Sequence, residues 1–357
     1  MTLLLSDPSL LKTAAYIDGQ WVQDESLGSF AVRNPANGDL LANVADLGGP
    51  HTLAAINAAD RAMTAWRART GKERGQLLRR WFDLVMANQE DLAVLMTAEQ
   101  GKVIAESRLE IAYGASFIEW FAEEAKRIYG DVIPGAPDRR LVVVKQPVGV
   151  VGAITPWNFP TAMITRKAGP ALAAGCAIVI KPAAETPLSA LALAELADRA
   201  GIPAGLFNVV TGTDAKAIGA AMTDSPTVRK LTFTGSTPVG KQLLRQSADT
   251  VKKVSMELGG NAPILIFDDA DLDQAVAGAL ASKYRNAGQT CVCVNRVLVQ
   301  DTIYDAFLEK FIAAVASFRL GDGMDENNTL GPLVSSKAAN DVHSMVQDAV
   351  ADGARVA

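Results

Sequence analysis

The sequence predicts an α/β fold organised around a parallel sheet. Helix-period stretches alternate with short Val/Ile-rich runs, glycines are spread along the chain, and neither long alternating strands nor heptads occur. With 357 residues, 49% of them apolar, there is length for two domains and material for a sizeable core.

From His51 to about Gly130 the pattern is helical. "TLAAINAADRAMTAW", "KERGQLLRRWFDLVMANQEDLAVLMTAEQGK" and "VIAESRLEIAYGASFIEWFAEEAKRIYG" carry apolar residues at spacings of three and four, with Gly101 and Gly130 where C-terminal caps are expected. The aromatics Trp66, Trp81, Phe82, Trp120 and Phe121 read as core packing. In "DVIPGAPDRRLVVVKQPVGVVGAI" turn residues lead into β-branched runs, the pattern of a linker or hairpin between units.

After it "CAIVIK", "LSALALAELADRAG", "LFNVV", a short helix, "KLTFTG", "TPVGKQLLRQSA" and "KKVSMEL" alternate strand with helix, which predicts a parallel sheet covered on both faces. Such sheets bind ligands at the carboxyl ends of their strands. Polar residues fall there: Lys181 ends one strand, Gly235 and Ser236 another, Glu257 a third. "FDDADLDQAVAGALASKYRNAGQTCVC" predicts a helix from about Asp271 into a cysteine loop; "NRVLVQ" follows as strand and "TIYDAFLEKFIAAVASF" as helix. The last stretch, "SSKAANDVHSMVQDAVADGARVA", reads as a helix heading into an unfinished strand.

A net charge of −5 with no Lys/Arg block argues against nucleic acid as a partner. The opening apolar triplet is too short for a signal-peptide core, and the apolar run from Ala168 to Ile180 is broken by Gly and Pro, so no membrane segment is expected and the chain reads as cytoplasmic. Three cysteines suit a reducing compartment and free thiols. His51 and His343 lie far from every cysteine, so no Cys/His zinc spacing can be assembled and no metal is expected.

Several stretches carry candidate chemistry, each with a plain structural alternative. "GSTPVG" places Gly235 and Gly240 around a helix start after a strand, where N–H groups receive a phosphate, although the GxGxxG spacing is missing and a tight turn reads equally well. Cys291 lies in a Gly-containing loop where local N–H dipoles can stabilise thiolate, while Cys176 sits in apolar "AGCAIVI" as a small hydrophobe. Glu257, at an apolar strand end, is a candidate general base with its pKa raised by desolvation, or a solvated charge. Asn158 in "TPWNFP" is a rigidly held amide suited to a developing oxyanion, or part of an ordinary turn. On residues alone the role of Cys291 stays open.

In this order "TPWNFP", "KPAAETP", "FTGSTPVG", "MELGGNAP" and "GQTCVC" resemble the aldehyde dehydrogenase superfamily over nearly the whole chain. "ITRKAGPALAAGC", "ASKYRNAGQTCVCVNR" and "FIEWFAEEAKRIYGD" are most similar to the branch that acts on succinate semialdehyde with NADP. The resemblance implies an aldehyde dehydrogenase-like fold: a Rossmann-type cofactor domain over 1–127 and 148–256, an oligomerisation hairpin over 128–147, and a second α/β catalytic domain over 257–357 that is incomplete at its C-terminal end. It implies Cys291 as nucleophile, Glu257 as general base and Asn158 as oxyanion-hole amide, passing through a thiohemiacetal and a thioester. Cofactor contacts transfer to Trp157, Asn158, Lys181, Ala184, Gly235, Ser236 and Leu258. Ala184 stands where NAD-preferring relatives place a glutamate, so NADP is expected, with NAD also usable. Arg166 and Arg285 match a clamp on a distal carboxylate, the alternative being that each pairs with an acidic neighbour on a helix surface. Cys293 resembles the partner of Cys291 in a reversible disulfide switch. The expected partners are a small semialdehyde and, for a full-length relative, further copies of itself. Glutarate semialdehyde or broader aldehyde oxidation, a thiol esterase and a non-catalytic dinucleotide-binding fragment are the alternatives.

Overall fold

The structure, a computed structural model, describes residues 3–357. Strands β1 (Ala15–Ile17) and β2 (Gln20–Val22) form a hairpin across Asp18 and Gly19, both at positive φ (53° and 76°), the backbone that an Asp-Gly turn adopts. A second hairpin, β3 (Ser29–Arg33) and β4 (Leu40–Ala45), precedes four helices: α1 (Gly49–Ala68), α2 (Gly71–Ala87), α3 (Gln89–Gln100) and α4 (Ile104–Glu124). Sequence reading found none of these strands. The stretch read as one helical run from Lys72 to Lys102 is two helices, broken at Asn88 (φ −108°, ψ 22°), whose side chain donates to the Leu84 carbonyl at 2.8 Å. Gly101 caps α3 at φ 96°, as expected. Gly130 caps nothing: α4 ends at Glu124, and Gly130 enters the next hairpin, where a β-carbon would collide with the Val143 carbonyl.

That hairpin, β5 (Asp131–Ile133) with β6 (Leu141–Val143), is solvent-exposed along its whole length. The chain then builds β7 (Val150–Ile154), α5 (Ala162–Ala173), β8 (Ile178–Lys181), α6 (Pro187–Arg199), β9 (Phe207–Val209), α7 (Ala215–Asp224), β10 (Val228–Thr234), α8 (Thr237–Ser247) and β11 (Lys253–Glu257). One seven-stranded sheet results, in the order β11-β10-β7-β8-β9-β1-β2, parallel from β11 to β9, with β1 antiparallel at its side. The chain begins the parallel part of this sheet at β7, steps outward to β8 and β9, then returns to lay β10 and β11 on the other side. That reversal opens a crevice at the carboxyl ends of β7 and β10. Register aligns the ends: Ile154 faces both Lys181 and Phe233, and Thr234 faces Glu257.

The core lies between this sheet and its helices. Trp66 and Trp81 are buried in it, their indole N–H groups donating to the Leu172 and Leu193 carbonyls at 3.0 and 3.2 Å. Trp120 departs from the core reading, being 62% exposed on α4. Beyond Glu257 a smaller unit follows: β12 (Ala262–Ile266), α9 (Leu272–Tyr284) and β13 (Val294–Val299) form a parallel βαβ crossover, with α10 (Tyr304–Ala316) packed on it around Ile266, Val276, Ala279 and Phe307. Asp271 caps α9, accepting from the Asp273 and Gln274 N–H groups at 3.0 and 3.1 Å. After α11 (Ser336–Ala351) the expected strand does not form. Among the described residues no helix is long and apolar enough to cross a membrane.

Candidate active site

The loop leaving β7 carries Trp157 and Asn158 into the crevice. Asn158 is held from three directions: its carbonyl accepts from Lys102 Nζ (2.8 Å) and Asn286 Nδ2 (3.0 Å), and its side-chain Nδ2 donates to the Gln289 carbonyl (2.9 Å). The second N–H of that amide has no acceptor among the described residues. Gln289 lies two positions before Cys291, so the sheet's switch point and the cysteine loop are joined directly.

The cysteine loop is costly to form. Asn286, Ala287 and Gly288 all have left-handed φ (53°, 54° and 76°), about 1–3 kcal/mol for each of the two that are not glycine. Hydrogen bonds offset this: Asn286 N–H donates to Glu106 Oε1 (2.9 Å), Gln289 Nε2 to the Asn286 carbonyl (3.1 Å), and Val334 N–H to Gln289 Oε1 (2.9 Å). Burial pushes the Glu106 carboxyl up, against the opposing effect of the Asn286 N–H.

Cys291 is exposed, whereas Cys293 and Cys176 are buried; all three are free. Cys293 Sγ lies 3.3 Å from both the Gly288 carbonyl and Asn295 Oδ1, and its single S–H donates to one of them. Burial pushes the Cys176 thiol up, consistent with the small-hydrophobe reading.

Glu257 ends β11, and its carbonyl accepts from Gly235 N–H (3.1 Å), tying it to the phosphate-type turn. Glu257 is exposed rather than buried by its apolar strand, because β11 is the edge strand of the sheet. Glu257 lines a cavity of about 330 Å³ with Arg166, Lys167, Lys230 and Cys176. Lys167 is buried and donates to Thr234 Oγ1 (2.7 Å) and Thr232 Oγ1 (3.1 Å); burial brings its pKa down to about 8, opposed by the Glu257 charge.

Arg166 and Arg285 make no ion pair with any described residue, which overturns the surface-pair alternative. Each rests on an aromatic face instead, Arg166 5.3 Å from the Phe117 ring centre and Arg285 4.9 Å from Phe159. They lie in different cavities, Arg285 lining one of about 750 Å³ with Phe159, Tyr284 and Phe318.

The residues at the crevice fit a dinucleotide. Lys181 is 6% exposed and its side-chain ammonium makes no hydrogen bond with a described residue; burial lowers its pKa, while the Glu185 and Asp46 charges raise it. Ser236 is the N-cap of α8 with its hydroxyl unused in capping, so the helix N-terminus retains donors for a phosphate. Gly235 lies under the Phe233 ring, where a β-carbon would come within 2.5 Å, and Leu258 packs at the same distance from the β-carbon position of Gly240. Ala184 is half-buried in the loop after β8.

Sequence reading missed Lys102, Glu106, Glu110, Asn286 and Gln289. One signal was available: Glu110 falls on the buried stripe of α4, with Ser107, Ile111, Gly114, Ala115 and Ile118, and a carboxylate on such a stripe requires a partner.

Residues 21–357 match the model of the aldehyde dehydrogenase family. The chain is 61% identical over 353 residues to succinate-semialdehyde dehydrogenase (NADP(+)) of Escherichia coli and 60% identical over 353 residues to glutarate-semialdehyde dehydrogenase of Pseudomonas aeruginosa, covering 99% of this chain and 73% of each relative. A crystal structure described as an E. coli NADP-dependent enzyme superposes with TM-score 0.97 at 60% identity, over 99% of this chain and 73% of that one.

Proposed function

The chain belongs to the aldehyde dehydrogenase family, and on that premise we propose that it oxidises succinate semialdehyde to succinate with NADP as hydride acceptor. The observation that carries this reading is the hydrogen bond from Asn158 to the Gln289 carbonyl, which sets an amide with one unused N–H beside the loop of an exposed thiol.

Cys291 is the nucleophile. Its thiolate forms a bond to the aldehyde carbon, and the carbonyl pair moves onto oxygen; the free Asn158 N–H and the Cys291 backbone N–H hold that alkoxide. NADP, when bound, supplies the hydride acceptor. The acyl group then left on sulfur is a thioester. Glu257, open to solvent, takes a proton from water as the water oxygen bonds to the acyl carbon; the C–S bond breaks and the acid leaves.

Lys181, Gly235 and Ser236 hold the dinucleotide, with Trp157 and Leu258 beside it. Ala184 places no carboxylate against a 2′-phosphate, which supports NADP. Neither Arg166 nor Arg285 forms an ion pair with a described residue, and the proposed clamp on the substrate's distal carboxylate requires the two cavities they line to open into one around the substrate. Glutarate semialdehyde is the second reading, favoured by the near-equal identity of a relative bearing that name; one methylene separates the two substrates, worth about 0.8 kcal/mol in apolar contact. The β5–β6 hairpin, with Val132, Val142 and Val144 exposed, is the proposed contact between copies.

NADPH formation measured against succinate semialdehyde, glutarate semialdehyde and butanal tests the reading. Higher kcat/KM for the two charged aldehydes is expected, and equal values for all three would overturn the carboxylate specificity.

A further inference from the structure

A buried ion pair holds the segment that carries Asn158. Lys102 and Glu110 are each 1% exposed at their side chains and lie 2.5 Å apart. A pair so deeply buried needs further hydrogen bonds to offset the lost hydration of both charges. Both sets of bonds go to one short segment. Lys102 Nζ donates to the Asn158 carbonyl (2.8 Å) and lies 4.3 Å from the centre of the Phe159 ring. Glu110 Oε1 accepts from the backbone N–H groups of Thr161 (3.0 Å) and Ala162 (3.2 Å).

Thr161 is the N-cap of α5, yet its own hydroxyl makes no cap and is buried without a partner. Glu110 therefore caps α5 from a different helix. The cation seizes one end of Asn158–Ala162 by a carbonyl, and the anion seizes the other by two N–H groups. Because the two charges hold each other, neither end can shift without breaking a buried, charged contact.

We infer that Lys102 and Glu110 are a positioning pair that sets the Asn158 amide at the oxyanion site. The inference rests on the reading of Asn158 as an oxyanion donor. Both residues contribute to the wall of the cavity that holds Arg285, but with their side chains 1% exposed the two charges act through the segment they hold. A misplacement of about 1 Å at such a donor costs up to about 100-fold in rate.

The test compares two reactions of Cys291 that need no dinucleotide. Acylation by p-nitrophenyl acetate joins sulfur to the carbonyl carbon, passes through an oxyanion and expels p-nitrophenolate. Alkylation by iodoacetamide joins sulfur to a methylene carbon, expels iodide and makes no oxyanion. Lys102→Met and Asn158→Ala should each slow acylation by about 10- to 100-fold, and Lys102→Met should leave alkylation unchanged. The double variant should be no slower than Asn158→Ala alone, because Lys102 acts only through that amide.

Should Lys102→Met fail to fold with Glu110 left unpaired, Lys102→Met/Glu110→Met removes both charges, and slow acylation with normal alkylation is expected of it also. Wild-type acylation in a folded Lys102 variant, equal slowing of both reactions, or losses that multiply in the double variant would overturn the positioning role. Wild-type acylation by Asn158→Ala would instead overturn the oxyanion reading itself, and the inference with it.

Discussion

The carbonyl oxygen of Cys291 lies against Gly260, so close that a β-carbon at that position would stand 2.8 Å from it. Gly260 follows Glu257 by three residues, so the strand end that carries the proposed base is packed on the loop that carries the proposed nucleophile. Gly260→Ala should push the cysteine loop off its seat. The expected result is slower acylation by about 10- to 100-fold with the melting temperature little changed, and a wild-type acylation rate would show that the contact does not matter.

The arginines should separate charged from uncharged substrates. Each is expected to contribute about 1.5–3 kcal/mol through a charge-assisted hydrogen bond. Arg166→Ala and Arg285→Ala should thus each lower kcat/KM for succinate semialdehyde by about 10- to 100-fold and leave butanal unchanged. Loss on both aldehydes would assign the arginines to packing against Phe117 and Phe159.

Glu99 gives a pH dependence that owes nothing to catalysis. It is 1% exposed, accepts from Leu188 and Ser189 N–H groups at 2.7 and 2.8 Å, and burial pushes its pKa from 4.5 up to about 8. The folded chain thus holds a proton that the unfolded chain has released between those values. The stability this contributes is full below pH 4.5 and lost as pH rises to about 8. In urea unfolding, Glu99→Gln should lack that part of the fall, and parallel wild-type and variant curves would contradict the assignment.

Cys293 tests the switch reading. Its thiol is buried on the Gly288 carbonyl and Asn295, while Cys291 is exposed, so peroxide meets Cys291 first and Cys293 must leave its acceptors to close a bond. Inactivation by peroxide should be reversed by a dithiol in the wild type and become irreversible in Cys293→Ala. Equal recovery in both would remove the switch.

The parallel sheet was legible because β8 and β10 are apolar runs bounded by helices and the polar strand ends Lys181, Gly235 and Glu257 mark the ligand edge, whereas β7 lay in a stretch that reads as a linker or hairpin. The strands β1 to β4 were not, being three to six residues long with weak alternation, although the Asp18-Gly19 pair is a turn signal. The exposure of Glu257 was not legible because apolar neighbours in sequence do not reveal that a strand lies at the edge of its sheet. Trp120 was misjudged for the parallel reason on a helix, since the period alone does not say which side of α4 meets the core. The hold on Asn158 was invisible because Lys102, Glu110, Asn286 and Gln289 come together only through the packing of α4 and the cysteine loop on α5.

The most direct measurement is stopped-flow absorbance of NADPH on mixing the chain and NADP with succinate semialdehyde. A burst of NADPH that disappears in Cys291→Ala, with NADP binding retained, is the predicted result. A burst that persists without Cys291 would contradict the thiol mechanism, as would NADP binding with no burst in the unmodified chain.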